Sequence, residues 1–136
     1  MRVLALDYGL ARIGCAVSDA TGTLATPIAA IEPPEISEVL SVAKEREVEC
    51  IVVGMPVSLS GEEGNQAAIT RTFCADLEDS TELPVETYDE RFTTRMAAQT
   101  RRSSGAGAAE DSIAAAHLLE SYLMSLASKA ALADDG

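Results

Sequence analysis

RVLALDYGLARIGCAVSDATGTLATPIAAI, residues 2–31, is the stretch that decides the fold. Residues 2–7 form an apolar run that closes on Asp7, and Tyr8-Gly9 turns the chain. Residues 12–18 are a second extended stretch, with Gly9 to Arg12 as the hairpin connection. Asp19 to Gly22 makes the next turn, and residues 23–31 form a third strand with Pro27 inside it. Proline donates no N–H to a ladder, so this strand belongs at a sheet edge. Successive strands joined by short turns predict an antiparallel meander.

Downstream the period changes. Pro33-Pro34 stops the third strand, and residues 35–47 place Ile36, Val39, Leu40 and Ala43 at helical spacing. Cys50 to Gly54 is an unbroken apolar run, as expected of a strand covered on both faces. After a Gly/Ser loop from Met55 to Gly64, Ile69, Phe73 and Leu77 recur every four residues in a second helix. Residues 85–88 are a short fifth strand running into Asp89-Glu90-Arg91. Thr93 or Thr94 can cap a third helix to about residue 101. Residues 102–109 form a loop. A last helix starts near Asp111, with Ala116, Leu119, Leu123 and Leu126 on one stripe. The order β-β-β-α-β-α-β-α-α predicts an α/β fold, a mixed sheet flanked by helices with residues 2–7 as its central strand.

A chain of 136 residues makes one domain, here residues 1–127, with 128–136 expected as a frayed tail. The 47% hydrophobic and 24% charged fractions are ordinary for a globular protein, and the 4% aromatic share demands an aliphatic core. No apolar run approaches the ~18 residues of a membrane span, and Asp7 interrupts the N-terminal run too early for a signal peptide. Three unclustered cysteines, Cys15, Cys50 and Cys74, read as free core thiols, which fits a cytoplasmic protein.

Ten basic against 22 acidic residues give a net charge of −12, which opposes nucleic-acid binding by the surface as a whole. The placement of the bases is less adverse. Arg12, Arg91, Arg95, Arg101 and Arg102 fall beside the motif segments, while much of the acid lies in 32–49, 62–63, 76–86 and the tail, so a local cationic rim is expected.

Ligands of α/β sheets gather beyond the carboxyl ends of parallel strands. Asp7 ends the first strand, Asp89 and Glu90 end the fifth, and Asp111 opens the last helix. Such acids could hold two Mg²⁺ ions ~4 Å apart, the arrangement that phosphodiester hydrolysis uses. The same residues also have structural readings. Asp7 could bond its own turn, Asp111 could serve the helix dipole, and Glu90 could pair with Arg91 or Arg95. Alternation puts Asp89 and Glu90 on opposite faces, so only one of the two can face Asp7. His117, the single histidine, falls on the polar flank of the last helix, which predicts a solvated or capping role.

The segments ALDYGLARIGCAVSD (5–19), IVVGMPVSLSGEEG (51–64), LPVETYDERFTT (83–94) and DSIAAAHLLESYL (111–123) resemble the four motif blocks of the YqgF/RuvX family. The blocks stand in the family's order and cover nearly the whole chain. The resemblance implies an RNase H-like fold, with a five-stranded mixed sheet in the order 3-2-1-4-5. It implies nuclease activity, either as a Holliday-junction resolvase or in processing the 5′ end of the precursor of 16S ribosomal RNA. Carried over by motif, Asp7, Glu90 and Asp111 would be the catalytic, metal-binding carboxylates, holding two Mg²⁺ or Mn²⁺ ions. Hydrolysis would leave a 5′-phosphate and a 3′-hydroxyl. Arg12, Arg91 and Thr94 would lie near the nucleic-acid phosphates, with Arg95, Arg101 and Arg102 extending the rim. Where family members often carry a Lys/Arg run before the last motif, this chain has RRSSGAGAAED.

Two readings from different classes follow. One is a Mg²⁺-dependent endonuclease acting on pre-rRNA or branched DNA, as a monomer or homodimer. The other is a nucleic-acid- or ribosome-associated interaction module with weak or lost cleavage. Half of an actin-like nucleotide-binding enzyme begins similarly, but it needs a second domain and a phosphate-gripping loop.

Overall fold

The computed structural model describes residues 1–56, 64–90 and 111–134. Strands β1 (Val3–Tyr8), β2 (Ile13–Ser18) and β3 (Ala25–Ile31) form the meander. They are followed by α1 (Ile36–Glu45), β4 (Cys50–Met55), α2 (Asn65–Ser80), β5 (Val85–Asp89) and α3 (Ile113–Asp134). One five-stranded sheet results, in the order β3-β2-β1-β4-β5. β2 pairs antiparallel with β1 and β3, while β4 pairs parallel with β1 and β5. This is the expected mixed sheet with β1 at its centre. Pro27 lies on the edge strand β3, opposite Ala16.

Alternation along β1 divides the core in two. Leu4 and Leu6 face α1 and α2, packing with Ile51, Val53, Val39, Phe73 and Leu77. Val3 and Ala5 face α3, packing with Val52, Ala115, Ala116, Leu118 and Leu119. Alanines on both sides of that second layer (Ala5 and Ala16 on the sheet, Ala115 and Ala116 on α3) let the helix lie close to the strands. β4 is buried along its whole length, as its unbroken apolar run predicts. Cys15, Cys50 and Cys74 are free and buried.

Two expectations are corrected. The chain does not fray at residue 128, because α3 continues to Asp134. Residues 127–132 are exposed, and their Ala, Leu and Lys content is enough to propagate the helix beyond its contact with the sheet. His117 is not solvated. At 8% exposure it is buried. The helix expected after Thr93 and the loop at 102–109 lie outside the described residues.

Candidate acidic site at the carboxyl end of the sheet

Asp7 has the parity of Val3 and Ala5, so its side chain belongs to the α3 face of the sheet. The next residue, Tyr8, turns to the other face and stacks on Phe73 with ring centroids 4.3 Å apart. That contact anchors the end of β1 and with it the backbone of Asp7.

The lateral neighbours of Asp7 are both glycines. Gly14 on β2 is its antiparallel partner. On the other side Leu6 is opposite Val53, so Gly54 is the next residue along β4. Each glycine leaves room for a segment that carries another acid. A Cβ on Gly54 would lie 2.7 Å from Glu90 Oε1 and 3.1 Å from Leu118 Cδ2. A Cβ on Gly14 would lie 2.6 Å from the backbone oxygen of Asp111. The sheet surface is therefore lowered on both flanks of Asp7, by Glu90 on one side and by the start of α3 on the other.

Glu90 reaches this face by the alternation of β5. Tyr88 packs into the α3-side core, and Glu86 accepts a 2.6 Å hydrogen bond from the Tyr122 hydroxyl of α3. Two residues beyond Tyr88, Glu90 returns to the same side, and its carboxyl group is hydrogen-bonded to that of Asp7. Asp89 has the opposite parity, that of Val85, which packs against the α1/α2 side.

The electrostatics follow from this pairing. Burial raises the Asp7 carboxyl above its ordinary range, against the hydrogen bond from Glu90. Glu90 is pushed up to about 7, first by burial and then by the charge of Asp7. Two half-buried carboxyl groups this close share a proton, since both cannot be charged without repulsion.

Asp111 stands apart from this pair. Its carboxylate is exposed, with Oδ2 3.6 Å from Arg12 Nε, which also donates to Glu32 Oε2 at 3.1 Å. Among the described residues no group of three His, Cys, Asp or Glu side chains is close enough to hold a metal ion. Arg91, Thr94, Arg95, Arg101 and Arg102 lie outside the described residues.

Ser112 was not singled out by sequence reasoning. It is fully buried, and its Oγ accepts the Cys15 N–H at 2.9 Å. Its backbone oxygen accepts from Ala116 at 3.0 Å, which makes Ser112 the N-cap position of α3. The register explains why the Cys15 N–H is available. Ile13 is opposite Ile31 and Cys15 opposite Ile28, so β3 carries an extra residue and the ladder is interrupted there. Ser112 ties the start of α3, and hence Asp111, to the strand beside Asp7. The available signal was the Asp-Ser pair ahead of an apolar helix.

Asp7 and Glu90 offer carboxylate oxygens only, the donor chemistry of a hard divalent cation. The repulsion from Asp7 that helps raise Glu90 is what such a cation would relieve. The residues present therefore fit a Mg²⁺- or Mn²⁺-type ion.

A protein of Chloroflexus aurantiacus that carries the pre-16S rRNA nuclease name is 39% identical over 130 residues, covering 89% of this chain and 85% of its own. One from Rhodococcus erythropolis with the same name is 36% identical over 136 residues, covering 90% and 77%. Among solved structures, Thermus thermophilus RuvC in complex with a Holliday junction substrate superposes with a TM-score of 0.63. It covers 94% of this chain and 96% of its own at 15% identity, and so shows the RNase H-like fold. Residues 1–125 match the family described as RuvX, Holliday junction resolvase, and the chain belongs to that family.

Proposed function

We propose that this protein is a divalent-metal-dependent nuclease that hydrolyses phosphodiester bonds in structured RNA. The observation that carries the reading is the contact between the Asp7 and Glu90 carboxyl groups at the end of the central strand, in a gap left by Gly14 and Gly54. Relatives at 36–39% identity carry the pre-16S rRNA nuclease name, which favours the 5′ end of that precursor as substrate. The family description and the RuvC-like fold favour a four-way DNA junction as the second reading.

In this account Asp7 and Glu90 would hold the cation, and Asp111 would complete the set on leaving Arg12. Bound divalent ions supply the lowered pKa of an attacking water and the neutralisation of charge on the cleaved phosphate. The chain's own residues do the rest. Asp7 and Glu90 would hold the ion in their ionised form, through carboxylate oxygens. Leu118 and Tyr88 wall the α3 side of the acids with apolar surface. Freed from Asp111, the Arg12 guanidinium can grip a substrate phosphate with its planar fork. Arg91, Arg95, Arg101 and Arg102 would add the positive charge that a protein with a net charge of −12 otherwise lacks.

The test is incubation with labelled RNA spanning the 5′ end of 16S rRNA and with a four-way DNA junction, in Mg²⁺ and in EDTA. Mg²⁺-dependent cleavage of the RNA leaving a 5′-phosphate is the expected result. Cleavage of the junction alone would select the second reading. Binding without cleavage of either would make the protein an interaction module.

A further inference from the structure

Gly54 lies inside β4 in regular register with β5, opposite Tyr88. Its backbone is not in the left-handed region, since Gly22 is the positive-φ glycine among the described residues. Backbone conformation therefore does not call for glycine at this position. Glycine in a strand interior weakens the strand and often marks close approach by another group. Here the approaching group is the Glu90 side chain, with Oε1 2.7 Å and Cγ 3.2 Å from where a Cβ would stand.

We propose that Gly54 is a positioning residue for metal binding. By lacking a Cβ it lets Glu90 lie across β4 and reach Asp7 on the neighbouring strand. The proposal rests on the reading of Asp7 and Glu90 as the ion-holding pair. A methyl group at 54 lifts the Glu90 carboxylate away from Asp7 and leaves the remaining acids in place. Glu90 is a flexible side chain at the end of its strand, so it yields before the backbone of β4 does. Gly14 is a less selective probe. Its obstacle is the backbone oxygen of Asp111, and a methyl there displaces the start of α3 as a whole.

A second contact must be separated from the first, because the same Cβ would stand 3.1 Å from Leu118 Cδ2. The experiment is a double-mutant cycle of Gly54→Ala and Glu90→Ala in the full chain. It reads Mn²⁺ binding by electron paramagnetic resonance and the melting temperature in EDTA. In the parent background Gly54→Ala weakens Mn²⁺ binding about 10-fold or more, the usual scale for an outer-shell residue that orients a ligand. In the Glu90→Ala background the same substitution changes Mn²⁺ affinity by less than about twofold, and its melting-temperature cost shrinks, because the crowded carboxylate is gone. Equal Mn²⁺ affinity for parent and Gly54→Ala overturns the proposal. So do equal losses in both backgrounds, which would locate the effect at Leu118. A parent protein that binds no Mn²⁺ overturns the metal reading itself and this role with it.

Discussion

Asp7 and Asp19 both stand where a strand gives way to a tight turn, yet their carboxyl groups meet opposite surroundings. Asp19 is partly exposed and accepts hydrogen bonds from the Thr23 and Leu24 N–H groups at 2.8 and 3.1 Å. The Thr21 hydroxyl donates a third at 2.7 Å and the Thr23 hydroxyl a fourth at 3.2 Å. These donors, Thr21 first, hold its carboxyl well below the usual range. It is a turn residue, fully served by its own loop, while Gly22 supplies the positive φ. Asp7 is partly buried, and that burial raises its proton affinity despite the hydrogen bond it accepts from Glu90. The turn-residue reading that sequence allows for Asp7 describes Asp19. What separates them is the strand on either side. Asp19 closes an outer hairpin, whereas Asp7 ends a central strand whose lateral neighbours are glycines that admit a second acid.

The contrast can be tested, and the largest effect belongs to Asp7→Asn. The substitution is nearly isosteric, so the fold is retained, but it deletes a negative ligand and cuts Mg²⁺-dependent cleavage by several orders of magnitude. Asp19→Asn leaves cleavage at the parent rate. A cleanly folded Asp7→Asn protein with full activity would falsify the metal assignment. Next comes the choice between the two acids that end β5. Glu90→Gln matches Asp7→Asn in severity, and Asp89→Asn costs far less in the same assay. The reverse ordering would place Asp89 in the site.

A smaller effect lies in the pH dependence of the metal-free protein. Glu90 has a folded value of about 7 against an ordinary 4.5, so the folded state binds more protons between those limits. Stability in EDTA therefore falls as pH rises from 4.5 through 7, by on the order of 1 kcal/mol once solvent screening of a half-exposed group is discounted. The melting temperature drops by several degrees over that window, and Glu90→Gln flattens the drop. Mg²⁺ at pH 8 restores the loss by mass action. An unchanged slope in Glu90→Gln would show that the strain between the acids is not what the pH change reports. The smallest effect is that of Asp19→Ala. It lowers the melting temperature by a few degrees through loss of the turn's hydrogen bonds, and Mg²⁺-dependent cleavage of the variant stays at the parent rate.

How far these features could be read from sequence depends on how local their cause is. The strand at 2–7, its neighbour at 12–18 and the edge position of Pro27 follow from period-two patterning and turn residues. Alternation within one short strand puts Asp89 and Glu90 on opposite faces, but it does not say which of them shares the face of Asp7. The glycines could not be read in the same way. Gly14 and Gly54 flank Asp7 only because β2 and β4, far apart in sequence, lie on either side of β1 in a particular register. The pairing of Asp111 with Arg12, and the bond from Cys15 to Ser112, depend on how the start of α3 crosses the sheet. His117 misled because helix polarity was judged from its neighbours in sequence, whereas the residue is buried at 8% exposure.

The most direct test of the central claim is a crystal soaked in Mn²⁺, with anomalous scattering to locate the ion. The account predicts a peak in contact with the carboxylates of both Asp7 and Glu90, with the Asp111 side chain turned from Arg12 toward it and Asp89 facing away. No peak between Asp7 and Glu90 at saturating Mn²⁺, or a peak held by Asp89 in place of Glu90, would contradict it.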